Sequence, residues 1–257
     1  MPEIFVHKDL NELSSHAAEL FIEIAKRSIH SRGRFAVALS GGSTPKSLYA
    51  LLVADFAAAI DWNKVLFFFG DERNVRPNAN ESNYKMANET VFTPLNIADK
   101  NVNRWRTEIE NPDAVAADYA GRVRKTFDQE PRFDLILLGL GSDVHTASLF
   151  PHTAALTELK LPAVANWVPK LNSFRFTLTF PLINEAENIV FLVTGEDKAA
   201  AVKHVFEGKY YPNEYPAQSV NPNEGRLYWL LDKMAAGRLE KFDSEPVSKD
   251  ICLSAED

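Results

Sequence analysis

The sequence predicts an α/β fold: a doubly wound, mostly parallel sheet with helices on both faces. Three observations predict it. Four short runs are almost wholly apolar: 35–39 (FAVAL), 65–69 (VLFFF), 135–138 (LILL) and 189–193 (IVFLV). Strands apolar at every position are covered on both faces, which is the condition of parallel strands between helix layers. Helical patterns separate the runs, and alternation of strand and helix is the signature of an α/β sheet. Each run also ends in small, polar or charged residues, and open α/β sheets bind ligands outside the carboxyl ends of their strands.

Taken in order, Leu10, Leu13, Ala17, Leu20, Phe21, Ile24 and Ser28 recur at helical spacing, so 9–30 reads as an amphipathic helix. Asp9 is placed to cap it and Gly33 to stop it. Further helical patterns cover 45–59, 82–92, 113–127, 145–150 and 197–207. The alternating stretch 174–179 (FRFTLT) predicts a strand exposed on one face, and 228–231 (YWLL) a last strand before a closing helix. The whole chain, 1–257, reads as one α/β domain with a loose polar tail after about residue 242.

Composition narrows the function. With 46% apolar and 25% charged residues the chain can bury a sizeable core. The net charge of −7 argues against a nucleic-acid partner. No apolar stretch approaches the roughly 18 residues of a membrane span. Cys252 is the single cysteine, so an internal disulfide and a cysteine-rich metal site are both excluded. No signal-peptide pattern opens the sequence. A cytoplasmic setting follows as the expectation.

The strand exits hold the candidate site. The first is Ser40-Gly41-Gly42-Ser43-Thr44-Pro45. Thr44 could cap a helix opened by Pro45, and Gly41 and Gly42 would let backbone approach a phosphate at the helix start. An ordinary capped turn would leave the same trace, and the Gly-Lys-Ser/Thr of nucleoside-triphosphate loops is missing. The second exit offers Asp71 for a hydroxyl and Arg73 for an anion, though a salt-bridged turn has the same residues. Arg175 and Lys198, taken singly, read as ordinary surface residues.

The third exit reads Gly139-Leu-Gly-Ser-Asp-Val-His-Thr-Ala-Ser-Leu-Phe-Pro151. A dinucleotide fingerprint fails because Val144 stands where the third glycine belongs. No His-Glu-x-x-His pattern supports a metal, and no Gly-x-Ser-x-Gly elbow supports a nucleophilic Ser142 or Ser148. General-base chemistry fits better. His145 at a helix start would be disfavoured as imidazolium, while Asp143 could orient the ring or bind a hydroxyl. The two effects on the histidine oppose each other. Alone, an Asp-x-His capping a helix is the simpler reading; four polar strand exits favour a site.

The ordered pieces LSGGSTP (39–45), GDER (70–73), ESNY (81–84), GLGSDVHTASLFP (139–151), RFTLT (175–179), VTGEDKA (193–199) and PAQSV (216–220) resemble 6-phosphogluconolactonases. These share a Rossmann-like α/β fold with glucosamine-6-phosphate deaminases. The resemblance implies hydrolysis of a small-molecule sugar phosphate lactone, 6-phosphogluconolactone, in the pentose phosphate pathway, without metal or organic cofactor. It implies His145 as the general base with Asp143 in support. It gives the phosphate to the Ser40–Thr44 loop, Arg175 and Lys198, and the sugar-acid end to Asp71 and Arg73. One departure stands out: the family pattern Gly-Pro-Asp-Gly-His is here Gly141-Ser-Asp-Val-His145. If that glycine has a positive φ, Val144 is strained. Two rivals keep the same pocket. A glucosamine-6-phosphate deaminase resembles Asp-Glu-Tyr where this chain has Asp71-Glu-Arg73, which favours the lactonase. A sugar-phosphate sensor without chemistry would bind and not turn over.

Overall fold

The computed structural model describes residues 1–128 and 130–240; the tail after about residue 242, and Cys252, lie outside them. Along the chain run β1 (Glu3–His7), α1 (Leu10–Arg32), β2 (Phe35–Leu39), α2 (Ser43–Phe56), β3 (Val65–Phe69), β4 (Asp71–Arg73), α3 (Asn83–Ala87) and α4 (Pro112–Thr126). Then follow β5 (Leu135–Leu138), β6 (Ala163–Val168), β7 (Ser173–Leu178), α5 (Phe180–Asn184), β8 (Asn188–Val193), α6 (Ala199–Phe206) and β9 (Arg226–Asp232). No helix among the described residues is long and apolar enough to cross a membrane.

Six strands form one parallel sheet in the order β1-β9-β8-β5-β2-β3. Every residue of β2, β5 and β8 is buried, as strands covered on both faces must be. The connection from β2 runs outward to β3, whereas the chain leaving β5 runs the other way, to β8. The crevice between the carboxyl ends of β2 and β5 is therefore a topological switch point, where such sheets bind ligands. The four polar exits follow the adjacent strands β8, β5, β2 and β3, so the topology brings them side by side.

A second, antiparallel sheet, β4-β7-β6, stands over that edge. Gly70 joins the two sheets: its N–H donates to Leu39 O at 2.9 Å, and its carbonyl accepts from Leu178 N at 2.8 Å. Asp71–Arg73, expected as a mere exit, is thus a strand in its own right. β1 and β6 were not anticipated either, since β1 is a half-exposed edge strand. The stretch 174–179 is a strand, but it is not solvated along one face: Thr177 and Thr179 are fully buried.

Local capping explains where α1 begins and ends. The Asp9 carboxylate accepts from Asn11 N and Glu12 N, and Gly33 closes the helix at φ 71°. Three further expectations fail. The helix predicted over 145–150 is a run of tight turns, with positive φ at Val144 and Ala147. Thr44 does not cap α2, which starts at Ser43 behind Gly42, two residues before the expected Pro45; its hydroxyl instead meets Thr194 Oγ1 at 2.7 Å. The chain after β9 forms turns rather than a closing helix within the described residues.

Candidate active site

Two buried tyrosines fix the strand ends beneath the site. Tyr49 OH donates to Ser40 O at 2.8 Å and accepts from Ser40 N at 3.1 Å. Tyr119 OH makes the same pair of bonds to Phe69, both at 2.8 Å. Burial pushes both phenols up, so they stay neutral donors. Each thereby satisfies backbone groups that the sheet ladder leaves open where it stops.

A cavity of about 460 Å³ opens above these ends. Ser40, Gly41, Gly42, Ser43 and Thr44 form its floor on the α2 side. The first N–H groups of α2 have no intrahelical acceptor, so they and the helix dipole favour an anion there. A Cβ on Gly41 would lie 1.9 Å from Asn83 Oδ1, so only glycine lets the loop pass beneath that side chain. Asn83 Nδ2 in turn donates to Asp71 Oδ1 at 3.1 Å, and Ser148 Oγ donates to Asp71 Oδ2 at 2.7 Å. Both Asp71 oxygens are held from the protein side while the residue still lines the cavity.

Arg73 and Arg175 line the same cavity. The β4–β7 register sets them directly opposite each other. Like charges across a strand pair are destabilising. Burial, and after it Arg73, holds Arg175 below the usual guanidinium range, with Asp71 and Glu72 pulling the other way. Arg73 Nη1 donates to the carbonyl of Glu81 at 2.6 Å, and Arg175 Nη1 to that of Phe174 at 3.2 Å. Neither guanidinium is in an ion pair among the described residues. Lys198, at the third wall, ends a 3₁₀ turn and pairs with the exposed Asp197 at 3.0 Å.

His145 lines the remaining wall, and Asp143 stands behind it rather than in the cavity. The imidazole Nδ1 bonds Asp143 Oδ1, and the ring stacks on Phe150 with centroids 4.0 Å apart. Nε2 has no hydrogen-bond partner among the described residues. Burial raises Asp143, but hydrogen bonds from His145 and Lys170 outweigh it and hold the carboxyl below its usual range. Asp143 therefore remains an acceptor near neutral pH. The helix dipole expected to act on His145 is absent, because no helix starts there.

The loop that presents this pair is tight. Gly141 N donates to His145 O at 2.8 Å, and Val144 N to Gly141 O at 2.9 Å. The imidazole lies across Gly141, where a Cβ would meet Nδ1 at 2.0 Å. Val144 turns the chain at φ 64° with its side chain 2% exposed. Its carbonyl accepts from Ala217 N at 3.0 Å, which ties the loop to the 216–219 turn. Val144 itself occupies the left-handed region that β-branched residues avoid.

Three contributors were not foreseen. Glu72 alternates to the far side of β4, where its buried carboxylate accepts from Arg73 N, Asn83 N and Tyr84 N and from Ser82 Oγ. It folds the 74–83 stretch back so that Asn83 reaches Asp71; the period of two along β4 was the available signal. Ser148 lines the cavity and its hydroxyl holds Asp71. Lys170 lines the cavity from the β6–β7 hairpin, and nothing in its neighbourhood in sequence marks it.

The family described as glucosamine-6-phosphate isomerases/6-phosphogluconolactonase matches residues 8–229. A 6-phosphogluconolactonase of Synechocystis sp. is 42% identical over 218 residues, 83% of this chain and 88% of that one. Among solved structures, a 6-phosphogluconolactonase from Trypanosoma brucei is 31% identical with a TM-score of 0.82, covering 93% of this chain and 99% of that one. The 6-phosphogluconolactonase from Trypanosoma cruzi is 29% identical with a TM-score of 0.84, covering 93% and 97%. The chain belongs to the 6-phosphogluconolactonase family, within the wider group that includes the glucosamine-6-phosphate isomerases.

Proposed function

We propose that this enzyme hydrolyses 6-phospho-D-glucono-1,5-lactone to 6-phosphogluconate, a step of the pentose phosphate pathway, with His145 as general base. The observation that carries the reading is the Asp143–His145 pair set against a cavity whose other walls present Arg73, Arg175 and Lys198. Asp143 keeps the proton on Nδ1, which leaves the Nε2 lone pair for a water molecule. Nε2 takes a proton as the water oxygen attacks the lactone carbonyl. The tetrahedral intermediate then expels the ring oxygen, which receives that proton and becomes a hydroxyl, while a carboxylic acid forms and ionises. No metal or organic cofactor enters these steps.

The cations divide the remaining work. The α2 N-terminus with Ser40–Thr44, Arg175 and Lys198 holds the phosphate, and Asp71 and Arg73 the sugar-acid end. Two facing guanidiniums, neither in an ion pair among the described residues, are stabilised by an anion between or beside them, which suits a phosphorylated substrate. The lone cysteine fits a reducing compartment such as the cytoplasm.

The test is lactone loss measured against spontaneous hydrolysis. The proposal predicts a rate well above background and no ammonia from glucosamine 6-phosphate. A rate equal to background defeats it: ammonia release would assign the deaminase, and binding of 6-phosphogluconate without turnover would assign a sensor.

A further inference from the structure

We infer that Lys170 is a positioning residue for the base, acting through Asp143 rather than on the substrate. This rests on the reading of His145 as the base. Asp143 divides its carboxylate: Oδ1 bonds His145 Nδ1, and Oδ2 bonds Lys170 Nζ. Lys170 Nζ also lies 4.6 Å from the centroid of the Phe150 ring, on which the His145 imidazole stacks. Lys170, Asp143, His145 and Phe150 thus close into one ring of contacts, in which the ammonium touches both neighbours of the imidazole.

The hairpin makes such a role possible. β6 and β7 pair up to Val168 and Ser173, so only residues 169–172 form the loop. Pro169 fixes one end of the turn, and Asn172 closes the other at φ 45° with its N–H on Pro169 O at 3.0 Å. A four-residue loop restrained at both ends has little freedom, and it delivers Lys170 from the second sheet to a carboxylate held by the first. A carboxylate bonded at one oxygen alone can rotate about its terminal torsion; bonded at both, it fixes the plane in which Nδ1 must lie. The ring plane then sets where Nε2 points, and small misplacements of a base lower the rate of proton transfer steeply.

The side chain is half exposed, so its replacement leaves the fold intact. The experiment measures kcat and KM for the wild type, K170M, K170R, D143N, D143N/K170M and H145A, each checked by thermal melting. We expect K170M to lower kcat about tenfold with KM within about twofold, and K170R to recover most of the loss. Most directly, K170M made on top of D143N adds little further loss, because the ion pair with the Asp143 carboxylate is the route through which the inference has Lys170 act. A rise in KM at constant kcat, or losses that multiply in the double variant, would overturn the inference and make Lys170 a direct contact to the substrate anion. H145A separates the two readings: if it keeps wild-type kcat, the base assignment itself fails and Lys170 has nothing to position; if it loses activity while the double variant is additive, only the Lys170 inference fails.

Discussion

Replacing Val144 by glycine and by alanine should order the two variants opposite to the usual rule. At an ordinary φ, glycine is less stable than alanine by about 0.5–1 kcal/mol, because it frees the unfolded chain. Val144 sits at φ 64°, where an L-residue costs roughly 1–2 kcal/mol that glycine does not. The two terms leave glycine more stable than alanine by about 0.5–1 kcal/mol at this position. Against the wild type, V144A keeps the backbone cost and gives up two buried carbons, a loss of about 2 kcal/mol with the cavity included. V144G gives up the side chain as well but recovers the backbone term, for a net loss of about 1 kcal/mol. For a chain of this size 1 kcal/mol moves the melting temperature by about 2–4 °C. Differential scanning calorimetry should therefore place V144G about 2 °C above V144A. If V144A melts above V144G by that margin, Val144 does not occupy the left-handed region and the loop geometry is wrong.

Two further predictions follow from the charges. Arg175→Met should raise KM for the phosphorylated lactone at least about tenfold, yet leave the melting temperature unchanged or higher, because it removes a guanidinium facing Arg73 across the strand pair; a lower melting temperature with KM unchanged would refute its place in anion binding. His7 and His16 stand Nε2 to Nδ1 at 3.1 Å between β1 and α1. Burial holds both below 6.5, helped at His7 by its neighbour His16 and opposed there by Glu12. The unfolded chain thus takes up protons that the folded one refuses, so stability is full above pH 6.5 and declines as the pH falls below it. His16→Gln should flatten that decline in urea titrations between pH 7 and pH 5, pH values chosen to span roughly that window; an equal slope in both proteins would contradict it.

The parallel sheet was legible because β2, β3, β5 and β8 are apolar at nearly every position, a pattern few other architectures produce. Strand order was not, since it is decided by packing between segments far apart in sequence. The helix expected over 145–150 failed for a local reason: the backbone there finds other partners, with Thr146 Oγ1 donating to Gly139 O, Ser148 N to Thr177 Oγ1 and Gly141 N to His145 O. The failure matters, because the dipole that was to act on His145 went with it, and Asp143 and Lys170 stand near the ring instead. Cavity residues lying at strand ends could be read from composition: Ser40–Thr44, Asp71, Arg73 and His145. Lys170 could not. It belongs to a hairpin of the second sheet, and only the folding of that sheet over the first brings it to Asp143.

The central claim is that His145 takes the proton of the attacking water. The most direct measurement is kcat for lactone hydrolysis by the wild type and by H145A, at matched fold as judged by melting and with the spontaneous rate subtracted. The claim predicts a loss of at least about a hundredfold with KM changed little. An H145A enzyme that hydrolyses the lactone within a fewfold of the wild-type rate would contradict it.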